Sequence, residues 1–339
     1  MATYKTPRDY LNKAVSSILN QNYRNFEFII VCDGDKEEYE YIKSYKDDRI
    51  KLILHNQNMG LANSLNDGIN VATGKYIIRM DSDDICLKNR IKKQVDYMEK
   101  NNDIIVNYMQ ALCFGKENEI KYTFNSKPSE INIQLFYMNC IVHPAVIIRK
   151  KFLEEKNIKY NDRYICSQDY ELWTKICNFS NISEIHEIGI LYRTHDKQVS
   201  NQKREIQEKL KENIIKQNSI KKLGLNNSEI INTLMILSGS RKLTKENYKT
   251  VIENINNIIE QVKNPYEKKK MRKVFYNRVF QIIVSNKKEK YSFISYIKKM
   301  NMLKTIIQYN NVCYIVSRIF MKLKSKLIKN ILYKKYEVI

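Results

Sequence analysis

Short β-rich stretches alternating with segments of helical spacing constrain this chain more than any other feature. Residues 26–31 lead into Cys32-Asp33-Gly34, residues 50–54 end near His55-Asn56, and residues 76–80 end in Asp81. Between them, residues 10–19, 37–45 and 61–71 carry apolar side chains at three- and four-residue spacing, which predicts helices there. Strands separated by helices predict βαβ units, hence an α/β fold with a mostly parallel sheet flanked by helices. In open α/β sheets, ligands bind beyond the carboxyl ends of the strands, and Asp33 and Asp81 stand at two such ends.

Charge divides the chain in two. Of 59 Lys+Arg and 37 Asp+Glu, the first 200 residues carry 28 and 27, so the net charge is +1 there and +21 on the last 139. Residues 1–200 therefore read as one domain, and 201–339 as a basic, mainly helical C-terminal region with a different partner. With 43% hydrophobic residues, 8 Gly and 4 Pro, collagen-like and fully disordered classes are excluded. No apolar run approaches the roughly 20 residues that span a bilayer, and no secretory signal opens the chain. Seven scattered cysteines without a CxxC pair argue against a disulfide framework or zinc ribbon, which points to a reducing cytoplasm.

Asp81-Ser82-Asp83-Asp84 places closely spaced carboxylates directly after a strand. Such oxygen donors suit a hard divalent cation that keeps positions open for substrate phosphates, and a departing diphosphate gains most from that metal. A solvated turn is the competing reading of the four residues alone.

The surrounding motifs favour the first reading. Residues 74–84 (GKYIIRMDSDD), with 58–69 (NMGLANSLNDGI) upstream and 16–34 before that, resemble family 2 glycosyltransferases with the GT-A fold. The resemblance continues through Asn89-Arg90, His143-Pro144, residues 168–173 (QDYELW) and Tyr192-Arg193-Thr194-His195, so it covers about residues 1–200. It implies a nucleotide-diphospho-sugar transferase. Position by position, Asp33 matches the aspartate that bonds the nucleotide base, and Tyr4 an aromatic beside it. Asp81 matches the first aspartate of the DxD motif, near the ribose, and Asp83 the second, a direct metal ligand. His195 matches a histidine near the metal and diphosphate, and Asp169 the general base on the acceptor hydroxyl. The implied reaction is a single displacement with inversion, assisted by Mn²⁺ or Mg²⁺, from a UDP-sugar donor to a glycan or lipid-linked acceptor.

Three positions depart from the family pattern. Gln168 replaces the acidic residue before the base, and Cys32 replaces the first aspartate of the Asp-Asp-Gly. The chain also starts at Met1-Ala2-Thr3-Tyr4, close to where the resemblance implies that the first strand ends, so the expectation is a shortened central strand, with either a natural start upstream or a damaged, weakly active copy.

In the basic region, Val316, Ile319, Phe320, Leu323, Leu327, Ile331 and Leu332 recur at helical spacing with lysines between them. That is a basic amphipathic helix, suited either to an anionic membrane surface or to packing on the catalytic domain. Residues 275–284 and 291–297 read as core of a helical subdomain. The expected setting is bacterial surface-polysaccharide synthesis, at the inner face of the plasma membrane. Two rivals stand beside it. A nucleotidyltransferase requires a Gly-rich phosphate loop, and Lys5-Thr6-Pro7-Arg8 lacks one. A degenerate transferase acting as an anionic-surface or nucleic-acid binding module would use the basic region, which shows no zinc-finger or RNP-type motif.

Overall fold

The structure is a computed structural model that describes residues 1–116, 120–121, 128–196, 198 and 202–285. The amphipathic stripe at 316–332 and the apolar segment 291–297 lie outside the described residues. The chain forms two compact units. Among the described residues, the first comprises those of Met1–Ile131 and Cys140–Gln207, and the second Asn132–Asn139 with residues 208–285.

In the first unit, β1 (Ala2–Thr3), α1 (Arg8–Leu19), β2 (Phe28–Asp33), α2 (Lys36–Lys43), β3 (Ile50–His55) and α3 (Leu61–Val71) alternate along the chain. The strands form a parallel sheet in the order β1-β2-β3. Helix α1 forms because Leu11, Ala14, Val15 and Ile18 fall on one face, and all four are buried. Asp35 caps α2 by accepting the Glu38 amide at 2.9 Å. Leu11, Val15 and Ile18 join Phe28, Ile30 and Cys32 of β2 in one core.

The remaining strands are β4 (Tyr76–Ile78), β5 (Ile85–Cys86), β6 (Val106–Gly115), β7 (Ile120–Lys121), β8 (Val146–Arg149) and β9 (Ile182–Thr194). Helices α4 (Arg90–Lys100), α5 (Pro128–Gln134), α6 (Lys150–Glu155) and α7 (Gln168–Ile176) intervene. This second sheet, ordered β4-β8-β6-β9-β5 with β7 on β6, is mixed: β6 and β9 run parallel, and the other pairs are antiparallel. Parallel strands thus make up the first sheet of an α/β fold, whereas the second sheet returns on itself. Met109 pairs with Ile185, but Gln110 pairs with Ile188 and Ala111 with Ile190, so β9 runs three residues ahead of its partner through a bulge. Glycine is required within it, since a Cβ on Gly189 would lie 2.8 Å from the Met109 Cβ.

The described part of the second unit is helical: α8 (Arg204–Leu223), α9 (Ser228–Ser238), α10 (Lys245–Glu260) and α11 (Pro265–Ser285). Asn227 caps α9 and a Thr244/Asn247 capping box starts α10. In α11, Phe275, Tyr276, Val279 and Ile283 are buried, and the Phe275 ring meets Tyr137 edge-on at 5.5 Å.

Candidate active site

The two aspartates at strand ends flank β1. Ala2 pairs with Val31 on one side and bridges to Asp81 on the other, while Thr3 pairs with Cys32, next to Asp33. Two strand spacings therefore separate the β2 and Asp81 chain paths, about 10 Å. The first strand is short, and it lies between its two neighbours.

Asp33 is buried and supplied with donors from all sides. It accepts from the Met59 amide at 2.7 Å, the Gly60 amide at 2.9 Å and lies 2.8 Å from His55 Nδ1, whose Nε2 is 3.1 Å from Asp67. These bonds fix the loop 58–60 at the head of α3. Gly34 permits the approach: it holds φ +83°, and a Cβ there would sit 2.5 Å from the Asn58 amide nitrogen. Tyr4, just past β1, is 45% exposed, and Met59 is also exposed.

The acidic turn is arranged differently. Arg79, buried, donates through both terminal nitrogens to Asp81, one of them at 2.6 Å. Asp83 Oδ2 lies 3.1 Å from His195 Nε2. Asp84 is 1% exposed; its Oδ1 accepts the Arg193 amide at 2.8 Å, and its buried Oδ2 has no hydrogen-bond partner. One oxygen from each of the three carboxylates lies within 4.8 Å of the others. Burial and the Asp81 charge raise the Asp83 pKa against the pull of His195. Burial, then Asp83 and Asp81, raise that of Asp84 well above the ordinary carboxylate value. An orphaned buried oxygen among crowded carboxylates fits a hard divalent cation, with Asp81, Asp83 and Asp84 as its oxygen donors and His195 beside them.

Arg193 ties this turn to β9. Besides its amide bond to Asp84, its Nε donates to the Asp83 carbonyl at 2.8 Å, and its guanidinium lies 3.8 Å from the Tyr10 ring centre and 4.5 Å from that of Phe114. His195, two residues on and just past the end of β9, meets the same turn at Asp83.

Asp169 stands in the first turn of α7, half-buried. Helix α7 is held through Trp173, whose ring meets His143 at 5.8 Å, and His143 Nε2 lies 2.8 Å from the Tyr160 hydroxyl. Asn66 of α3 brackets Tyr160 by bonding both its amide and its carbonyl, at 3.0 and 2.9 Å. Burial raises the Tyr160 pKa, Arg79 opposes it, and the charges of Asp169 and Asp81 add to it. The charges of the base candidate and of the acidic turn thus both bear on the same phenol.

Of the residues singled out from sequence, the structure joins Asp83 to His195 directly, sets Asp81 in the same turn, and places Asp33, Tyr4 and Asp169 on separate elements. Asp84 belongs to the acidic run read from sequence and Arg193 to the Tyr192-Arg193-Thr194-His195 motif, but the sequence assigns Arg79, Arg193 and Tyr160 no role of their own. For Arg79 the signal is an arginine inside the apolar run Ile77-Ile78-Arg79-Met80.

The family described as glycosyl transferase family 2 matches residues 1–158. An uncharacterized glycosyltransferase of Methanocaldococcus jannaschii is 38% identical over 201 residues, 57% of this chain and 69% of that one. One from Haemophilus influenzae is 29% identical over 67% of this chain and 75% of its own length. Among solved structures, residues 1–349 of S. aureus TarS in complex with UDP-GlcNAc align with a TM-score of 0.53 at 14% identity, covering 82% of this chain and 85% of that one. That likeness is one of fold, the GT-A fold, and the sequence relatives carry the rest: this chain is a glycosyltransferase and belongs to glycosyl transferase family 2.

Proposed function

We propose that the protein transfers a sugar from a UDP-sugar, with inversion at the anomeric carbon, onto a hydroxyl of a glycan or lipid-linked acceptor. The observation that carries this reading is the acidic turn at a strand end, with one buried carboxylate oxygen unpartnered and His195 on Asp83. A divalent cation held there, Mn²⁺ or Mg²⁺, would offset the charge that develops on the departing diphosphate. Arg79 keeps Asp81 oriented toward the ribose side, and Arg193 holds Asp83 and Asp84 in place. Asp169 takes the acceptor's proton as the new bond forms, since a hydroxyl is a weak nucleophile near neutral pH.

Asp33 supports a uridine donor. With three donors already on its two oxygens, it has one acceptor direction left. Uracil offers a single ring N–H on its pairing edge, whereas guanine offers two adjacent donors. TarS was solved with UDP-GlcNAc, a donor of this nucleotide class. Tyr4, exposed beside this pocket, would stack on the base. We assign the acceptor to surface-polysaccharide synthesis at the inner face of the membrane, where a basic C-terminal region would meet anionic lipid. Among the described residues, no helix is long and apolar enough to cross a membrane.

Calorimetry with UDP, with and without Mn²⁺, tests the donor site. Metal-dependent binding that is lost in Asp83→Ala is the expected result. Equal affinity after chelation would remove the metal from the site.

A further inference from the structure

Glu38 is a buried carboxylate that the reaction does not use, and the hydrogen-bond partners of its carboxylate lie more than thirty residues away in sequence. It projects from α2, is 7% exposed, and accepts the Thr6 amide on one oxygen and the Thr3 hydroxyl, at 3.1 Å, on the other. Lys5 holds φ +52°, a left-handed conformation that a residue with a side chain seldom adopts. The turn at Lys5 lies between Thr3 and Thr6, the two residues whose hydroxyl and amide bond this carboxylate. The same loop leaves Tyr4 facing outward.

The chain of bonds continues. Thr6 Oγ1 lies 3.0 Å from the Thr3 hydroxyl and 2.7 Å from the hydroxyl of Ser82, the residue between Asp81 and Asp83. Ser82 is thus anchored through Thr6 to the loop that Glu38 gathers, and that loop presents Tyr4.

We propose that Glu38 is a positioning residue for the donor: it sets the loop 4–6 and, through the Thr6–Ser82 hydroxyl pair, fixes the base-side and metal-side halves of the site relative to one another. The inference rests on the donor-site reading above. Glu38 touches neither nucleotide nor metal. Its effect reaches them along two branches, a direct one to the Tyr4 loop and an indirect one through Thr6 to the acidic turn.

The two branches separate experimentally. On the full chain, calorimetry with uridine alone reads the base side, and UDP with Mn²⁺ reads both sides. Glu38→Gln removes the negative charge that the Thr6 amide and the Thr3 hydroxyl bond to, and is expected to weaken both ligands about tenfold. Thr6→Val removes the hydroxyl link and keeps the backbone bond. It is expected to leave uridine within about twofold of wild type while weakening UDP with Mn²⁺ about three- to tenfold. Thr6→Ser should restore wild-type affinity.

A purely structural role would lower the melting temperature and leave both affinities unchanged, which would overturn the inference. So would a Thr6→Val variant that loses uridine and UDP equally, or a Thr6→Ser variant without rescue. If Glu38→Gln does not fold, the two Thr6 variants decide. A wild-type chain that binds neither ligand overturns the donor reading and this inference with it, a result distinct from loss of affinity in the variants alone.

Discussion

Asp33 and Asp84 are both buried aspartates beside the same short strand region, and they are opposites. Asp33 receives two backbone amides and an imidazole, so the fold partners both of its oxygens and leaves one acceptor direction open. Asp84 receives one amide, faces two further carboxylates, and keeps an oxygen with no partner. A carboxylate whose partners are supplied by the chain holds a loop in place. One that the chain leaves short of partners is stable only with a ligand from outside. In the function proposed above, the difference separates a pocket for a neutral base edge from a turn for a cation.

A carboxylate outside both groups should give the largest effect and so calibrate the comparison. Asp169→Asn is expected to reduce turnover about 10²–10⁴-fold in single-turnover assays and to leave UDP affinity near wild type, because the amide keeps the shape and cannot accept the proton. A variant with wild-type turnover would move the base elsewhere.

Breaking the satisfied aspartate should damage the fold. Asp33→Ala removes the buried acceptor of the Met59 and Gly60 amides and of His55, and is expected to lower stability by about 1–3 kcal/mol in urea titrations without Mn²⁺. Asp84→Asn should do the reverse. Removing one charge from the crowded turn is expected to raise metal-free stability by about 1 kcal/mol, while abolishing the rise in melting temperature that Mn²⁺ gives the wild type. If Asp84→Asn melts early and still responds to Mn²⁺, the contrast between the two aspartates is wrong.

The smallest expected effect comes from an ordinary paired carboxylate. Burial pushes the Glu27 pKa up, but bonds from Lys51 and Thr73 outweigh it and bring it from 4.5 down to about 2. A lowered folded-state pKa contributes stability above the unfolded value, and that contribution is lost as pH falls from about 4.5 to about 2. Nearby water screens the Lys51 pair, so Glu27→Gln should lose about 1 kcal/mol at pH 7 and flatten the acid limb of the stability curve. Equal pH profiles in the two proteins would remove this contribution.

Much of the first unit was legible in sequence because its contacts are local. Leu61–Val71 forms the helix that its spacing predicts, and Asp33 and Asp81 stand at the ends of neighbouring chain paths. The acidic turn was visible for the same reason, being one continuous run. Arg193 was not legible as a clamp, since its partners Tyr10, Asp83 and Phe114 come from three distant segments. Nor was the mixed second sheet, whose β6–β9 pairing joins residues 76 or more apart and depends on a bulge with no short-range signature. Tyr160 was missed because its position follows from Asn66 and His143, not from any pattern around it.

The bulge in β9 gives the site a parity. Side chains along a strand alternate between faces, so the three residues by which β9 outruns β6 decide which of two interleaved sets faces the acidic turn. Deleting one residue from 186–189 would carry Thr194 into the place of Arg193 and Asp196 into that of His195. The sheet would still close, with hydroxyl and carboxylate where guanidinium and imidazole had been. Deleting two would restore the face but advance the strand by about 7 Å, setting His195 where Arg193 now clamps the turn. Insertions and deletions at this one segment therefore act as a frame shift in three dimensions, able to silence the enzyme while leaving its secondary structure and hydrophobic pattern almost untouched.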